Sequence, residues 1–524
     1  MRRTALGVVA AAVGLVVIVV VVFALTAPKG VKVGTNVLVN RVGPIDVRNS
    51  PTIARNPKNG SNLVTAYRMD RPGYSAFLSY SDNGGDSWEQ TVLPLAPDVP
   101  TCAASPQGEP CPFGPDVAFG PDGTLYVLYV ALRGTGNDPG SLWLSTSTDG
   151  GRTLALPAKV AGELAFQPRL AVDPKGPVYI TWLQGFGTGN LSFTDPPPYV
   201  VAVRSDDKGR TFSPQVRVSD PARVRIGGAS PVVDAKGRLH VVYMDYKDNR
   251  RDFSGLTGPP AELPFGLVFT TSTDGGKTFG KNVEIESNMT VLRRFLIYLP
   301  EFPQIAAGPG DNLYVTWGDG RSGDLDVLMR RSTDGGATWT DAVRVNDNPA
   351  KDGTAQFLPK VDVASDGRVN VLFLDGRNDP AKKILLDAYL ATSTDGGKSF
   401  KNVRVSSQSF DSTVGPTFGT EYGTDFGTKL GLTSAGGKVY AAWTDTRLGS
   451  QATGRQDVDF ATVDLGHGRS SALLAGGVVL VLLLGGGMFL ALRSANRRSS
   501  TSARATPAAR ATTTPVDQPG VTGR

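Results

Sequence analysis

One eight-residue pattern occurs six times in this chain, and a repeat of this period constrains the fold more than any other property of the sequence. The clearest copy runs from Ser332 to Trp339 and reads STDGGATW. Further copies begin at Ser147 (STDGGRTL), Ser205 (SDDKGRTF), Ser272 (STDGGKTF) and Ser393 (STDGGKSF). A degenerate copy at Ser81 reads SDNGGDSW, with Asn83 in place of the acid. Successive starts lie 58 to 67 residues apart. Each copy has the chemistry of a tight turn. The carboxylate (Asp149, Asp207, Asp274, Asp334 or Asp395) accepts hydrogen bonds from nearby backbone N–H groups. Glycine supplies backbone angles that other residues resist. A Thr or Ser hydroxyl adds a local bond, and the closing aromatic, such as Trp339 or Phe279, is suited to burial between layers.

A second motif lies upstream and occurs seven times. It opens on Phe-x-Pro or a variant: FGPDVAF from Phe113, FQPRLAV from Phe166, FPQIAAG from Phe302, FLPKVDV from Phe357, FGTKLGL from Phe426, PTIARNP from Pro51 and PVVDAKG from Pro231. β-Branched and aromatic runs follow, separated by Gly, Asp and Pro, so each unit reads as strand, turn, strand, loop, strand, eight-residue turn, strand. Seven openings with six turns leave one unit short of its fourth strand. That unit ends near Asp457–Val463, and Asn36–Val42 (NVLVNRV) resembles the other fourth strands, such as VRVND from Val343. Pairing the two chain ends would close a ring and remove its open edges. The expectation is a seven-bladed all-β propeller, with six blades as the alternative.

The pattern S-x-D-x-G-x-T-W resembles the Asp-box (BNR) repeat of sialidases and other Asp-box β-propellers, and the resemblance spans about residues 31–466. It implies that Asn83, Asp149, Asp207, Asp274, Asp334 and Asp395 are structural, because the family carries its boxes on the blade periphery. It implies further that the first strand of each blade lines a central channel. The residues after the opening Pro, or its equivalent, then form a tier: Thr52, Asp116, Arg169, Val232, Gln304, Lys360 and Lys429. Sialidases clamp a sugar carboxylate with three arginines, attack with a Tyr beside a Glu, and use an Asp as acid/base. Arginine suits that role because its fork pairs a carboxylate bidentately.

Carried onto this sequence, the resemblance makes Tyr422, Glu421 and Asp116 the catalytic candidates. It makes Arg169, Arg321, Arg377, Arg447, Lys360 and Lys429 the ligand-binding ones. The sequence departs from the family in two places. The F/Y-R-I-P motif has no intact copy, its nearest counterpart being Phe302-Pro303-Gln304-Ile305, and the stretch from Phe426 to Leu430 that matches the nucleophile's position has no tyrosine. The recurrence Asp319/Arg321, Asp375/Arg377 and Asp445/Arg447 also fits a repeated structural pair. These departures favour a non-catalytic propeller that binds a glycan or protein. An exo-sialidase or related glycoside hydrolase is the alternative, and a scaffold of a cell-envelope complex is a third reading.

Two apolar segments flank the repeats. Residues 5–25 follow Arg2 and Arg3, and residues 472–492 precede Arg493, Arg497 and Arg498; each is 21 residues without a charge, long enough to span a bilayer. The positive-inside rule places both basic flanks in the cytoplasm, with residues 1–4 as a short N-terminus there and the propeller outside. The first segment reads as an uncleaved anchor, with a cleaved signal peptide as the alternative. Residues 493–524, with six arginines against Asp517, read as a disordered basic tail. Without these flanks the chain's +6 falls to about one negative charge, so charge does not suggest a nucleic-acid partner. Cys102 and Cys111 are the two cysteines, expected to pair on the oxidising side. With only His240 and His467, histidine-ligated zinc and Ser-His-Asp chemistry are disfavoured, and no cofactor or metal is expected.

Overall fold

The computed structural model describes residues 30–466 apart from 42, 95–110, 134–137, 187–195, 248–263, 291–301 and 417–423. Seven antiparallel sheets follow one another along the chain: blades one to seven at residues 47–91, 111–161, 165–217, 226–289, 304–344, 356–404 and 431–464. Among the described residues no helix is long and apolar enough to cross a membrane. The apolar segments 5–25 and 472–492, and the tail, lie outside them.

The strand sequences explain the stacking. Second strands such as Leu239–Asp245, Leu313–Asp319 and Val369–Asp375 are buried along their whole length. Each lies mid-blade between two neighbouring blades, so both faces are covered and the run is nearly all apolar. Seven apolar clusters join each blade to the next, and around the ring they form one annular core. Trp182, Trp317 and Trp443 fill equivalent second-strand positions and are fully buried. Their indole N–H groups donate to Gln184, Asp319 and Asp445, which keeps a polar atom from being stranded in the core.

Ring closure follows the sequence expectation. Asp457–Asp464, the third strand of blade seven, receives Val37–Leu38 in antiparallel register, Val37 opposite Phe460 and Leu38 opposite Asp459. Lys32–Val33 extends the same pairing to Asp464 and Val463. Asn40 completes the joint: its amide donates to Asp457 Oδ1 at 2.9 Å and accepts from Val458 N at 2.7 Å.

The Asp boxes are the turns between third and fourth strands. In the copy at Ser332, Asp334 Oδ1 accepts from Thr338 N at 2.9 Å and from Ser332 Oγ at 2.7 Å, and Oδ2 accepts from the Thr338 hydroxyl at 2.5 Å. These donors hold the carboxyl down to about 2. Gly336, at φ 94°, lies so close to the preceding blade that a Cβ there would sit 2.1 Å from the Phe269 ring. Trp339 meets the same ring edge-on at 5.1 Å. The box therefore locks its own turn and seats it on the neighbouring blade. Asp334→Ala is expected to cost about 1–2 kcal/mol, read as a lower unfolding midpoint with ligand binding unchanged. Lost binding at unchanged stability would contradict the structural role.

Candidate functional site

The first strands stand around the central axis, and a local irregularity aims their side chains. Pairing with the second strand slips between Asn49 and Thr52, Phe113 and Asp116, Phe166 and Arg169, Gly227 and Ser230, and Phe357 and Lys360. One residue inside each slip has positive φ: Ser50 (54°), Gly114 (57°), Gln167 (54°), Gly228 (63°) and Leu358 (54°). Gly427, at 85°, stands in the same relation to Lys429. This is a β-bulge, a device that bends a strand and re-aims a side chain. The residue two positions after the positive-φ residue belongs to one tier of the channel: Thr52, Asp116, Arg169, Ser230, Lys360 and Lys429, with Gln304 completing it in blade five. In blade four the tier residue is thus Ser230, not Val232. The proline comes two positions later there, after the tier residue instead of before it, and the bulge rather than the proline carries the register.

The tier surrounds a cavity of about 400 Å³. Asp116 is its fixed anion. Its Oδ1 accepts from the Thr52 hydroxyl at 3.1 Å and its Oδ2 from Leu170 N at 3.0 Å. Burial works to raise its pKa, but Lys429, Arg169, Lys360 and the Leu170 N–H outweigh that and hold the carboxyl below the usual range. A carboxyl kept ionised serves as a counter-charge and is a poor proton donor at neutral pH.

The cations are less well satisfied. Arg169 is 8% exposed and stacks over the Phe302 ring at 5.3 Å. Its Nη1 reaches Pro168 O at 3.5 Å, a marginal contact, and its Nη2 is buried without a hydrogen-bond partner among the described residues. Leaving such a donor unmet costs about 1–3 kcal/mol. Burial lowers the Arg169 pKa, offset by Asp116. Lys360 Nζ donates to Gln304 Oε1 at 3.2 Å, and burial lowers its pKa. Lys429 Nζ donates to Pro115 O at 2.8 Å; burial first, then the Arg169 charge, push it down to about 7. Asp362 also lines the cavity, two residues beyond Lys360, and burial raises its pKa.

The other candidates are placed elsewhere. Arg321 pairs with Asp319 at 2.6 Å and with Glu286 of the preceding blade at 3.1 Å. Arg377 pairs with Asp375 at 2.7 Å and Asp347 at 2.5 Å, and Arg447 with Asp445 at 2.9 Å and with Asp459. None of the three lines the cavity. They sit at the ends of second strands, on the face of the ring opposite the Asp boxes. Arg169, Lys360, Lys429 and Asp116 are brought together; Arg321, Arg377 and Arg447 are not. Glu421 and Tyr422 lie outside the described residues, as does Cys102. Cys111 opens the first strand of blade two and is fully buried. Two groups near the site escaped the sequence reading. Ser230 was hidden by the shifted proline. Arg68, held at 2.6 Å by Asp425 and at 3.1 Å by Asp70, has partners far apart in the chain.

No family model and no curated protein matches the chain. Among solved structures, a Hadza microbial sialidase is 17% identical over 76% of this chain and 73% of its own, with a TM-score of 0.42. An α-L-arabinanase of Penicillium chrysogenum complexed with arabinobiose is 17% identical over 68% and 93%, at 0.42. A family PL25 ulvan lyase is 10% identical over 80% and 95%, at 0.47. The chemistry of the channel rests on its own residues.

Proposed function

We propose that this chain is a membrane-anchored, extracytoplasmic propeller of sialidase-like type that binds an acidic glycan, or an acidic group of a protein, in its central channel without cleaving it. One observation carries the reading: the buried Arg169 Nη2 has no partner among the described residues, in a cavity shared with two further cations and a single firmly ionised carboxylate. Buried polar groups are ordinarily satisfied, and an exception calls for an explanation such as an absent ligand. A carboxylate would satisfy it by a charge-assisted bond. The absent F/Y-R-I-P arginine and the ionised state of Asp116 support binding over hydrolysis. Anchoring through residues 5–25 and 472–492, both termini inside, and a Cys102–Cys111 disulfide belong to the same proposal and rest on the sequence.

The test is calorimetry on the full-length chain with N-acetylneuraminate and with galactose, alongside a fluorogenic sialoside. Binding of the acidic sugar alone, no turnover, and at least about tenfold weaker binding in Arg169→Ala, corresponding to about 1.4 kcal/mol, are expected. Turnover that disappears in Tyr422→Phe would replace this reading with the hydrolase.

A further inference from the structure

Six blades end their third strand on the serine that opens an Asp box: Ser81, Ser147, Ser205, Ser272, Ser332 and Ser393. In blade seven Val463 holds that register position, opposite Val439 as Ser332 is opposite Leu313, and no box follows. Both ends of the described chain stand there instead. Lys32 pairs with Asp464, and Gly34 N donates to Thr462 O at 2.8 Å. At the other end Leu465 N donates to Gly437 O at 2.8 Å, and Gly466 O accepts from Arg368 Nη1 at 3.0 Å. Gly437 and Arg368 belong to the turns that join first to second strands in blades seven and six. Such turns share a face with the Asp boxes: Gly84 N donates to Ser61 O, Gly335 N to Asp311 O and Asn62 Nδ2 to Gly150 O. The chain therefore enters and leaves the ring at one corner of its Asp-box face.

We infer that the propeller stands with its Asp-box face toward the outer surface of the bilayer and presents the opposite face, where Arg321, Arg377 and Arg447 sit, away from the membrane. This rests on the anchoring proposed above. Four residues, 26–29, separate Gly30 from the apolar segment 5–25, and five, 467–471, separate Gly466 from the segment 472–492. Fully extended, the two links reach at most about 18 Å and about 22 Å. First strands of eight or nine residues, such as Ala165–Val172 and Val47–Arg55, set the two faces about 25 Å apart. Neither link climbs that height, so the face they leave from is the one the anchors hold near the membrane. The two ends of the channel thereby differ. On the Asp-box side of the tier the cavity is lined by the small side chains of Ala54, Ala118, Ala171, Ala306 and Val232, with Asp362. That end faces the bilayer, and the gap between them, bounded by the links, admits small solutes and membrane-borne groups and excludes bulky soluble polymers.

The experiment uses the full-length chain in proteoliposomes, with one cysteine introduced at an exposed site and labelled from outside with an impermeant fluorescent maleimide. Ser365→Cys and Lys175→Cys mark the Asp-box face in blades six and three. Lys382→Cys and Ala222→Cys mark the opposite face, in blade six and between blades three and four. The parent chain, treated alike, gives the background. Energy transfer to an acceptor dye on the outer headgroups reads each label's distance from the bilayer. Both Asp-box labels are expected close to it, and both opposite-face labels about 25 Å further out. Equal distances for the two faces, as an edge-on ring would give, or a nearer opposite face, overturn the inference while the anchoring stands. If one variant of a face does not fold, the other on that face decides. A maleimide carried on a bulky polymer should modify Lys382→Cys and Ala222→Cys and spare Ser365→Cys and Lys175→Cys, although the small reagent reaches all four. Equal modification by the polymer overturns the narrow gap. A folded chain that alkaline carbonate strips from the vesicles removes the anchoring reading, and this inference with it.

Discussion

Deletion of residues 30–45 is expected to lower the unfolding midpoint by roughly 5 °C or more, or to prevent folding altogether. The segment supplies the outer strands of blade seven, the paired backbone groups at Lys32–Val33 and Val37–Leu38, and the buried Val39. Asn40 adds two buried bonds to the third strand, and Asn36 ties the segment to blade six through Val405 O at 3.0 Å and Ser407 N at 2.6 Å. Several bonds worth about 1 kcal/mol each, with an apolar side chain exposed, sum to about 5 kcal/mol or more. The deletion also bares a long strand edge, so aggregation should accompany the loss. Adding the deleted segment back as a peptide should restore part of the midpoint. An unchanged midpoint after deletion would mean that the ring does not depend on its closing strand.

Replacing Arg377 with alanine should be costly for stability and neutral for ligand. Asp375 is fully buried, and burial raises its pKa despite the Arg377 partner. Without the guanidinium it keeps Gln356 at 3.2 Å and the residue-377 N–H at 2.8 Å, but loses its counter-charge. Breaking a wholly buried pair costs about 3–5 kcal/mol. Arg377 retains some exposure and Asp375 keeps two donors, so about 2–3 kcal/mol is expected, measured by urea unfolding. Neuraminate affinity should stay within about twofold of the parent, because Arg377 does not line the cavity. Affinity lost with stability intact would return Arg377 to the ligand site.

Much of the fold was legible because repeats report geometry directly. Counting seven opening motifs against six boxes gave both the number of blades and the borrowed strand. The box chemistry was equally readable, since its donors and acceptors lie within eight residues. The tier was legible wherever proline stood just before the aimed residue, at Thr52, Asp116, Arg169, Gln304 and Lys360. It failed in blade four, where the positive-φ Gly228 sets the register and Pro231 follows Ser230. Sequence spacing could show that Asp319 and Arg321 recur together. It could not show that Glu286, from another blade, closes the pair. Nor could it show that Arg169 alone among the arginine candidates has a buried nitrogen without a partner among the described residues, which depends on seven strands meeting around one axis.

The most direct measurement is anomalous diffraction from crystals of the chain soaked in selenate, a compact oxyanion visible by its selenium. The account predicts a peak within the channel, bonded to Arg169 Nη2 and in reach of the Lys360 and Lys429 ammonium groups, and absent in Arg169→Ala crystals. Selenate bound only on the outer surface, with the channel holding nothing but water between those three side chains, would contradict it.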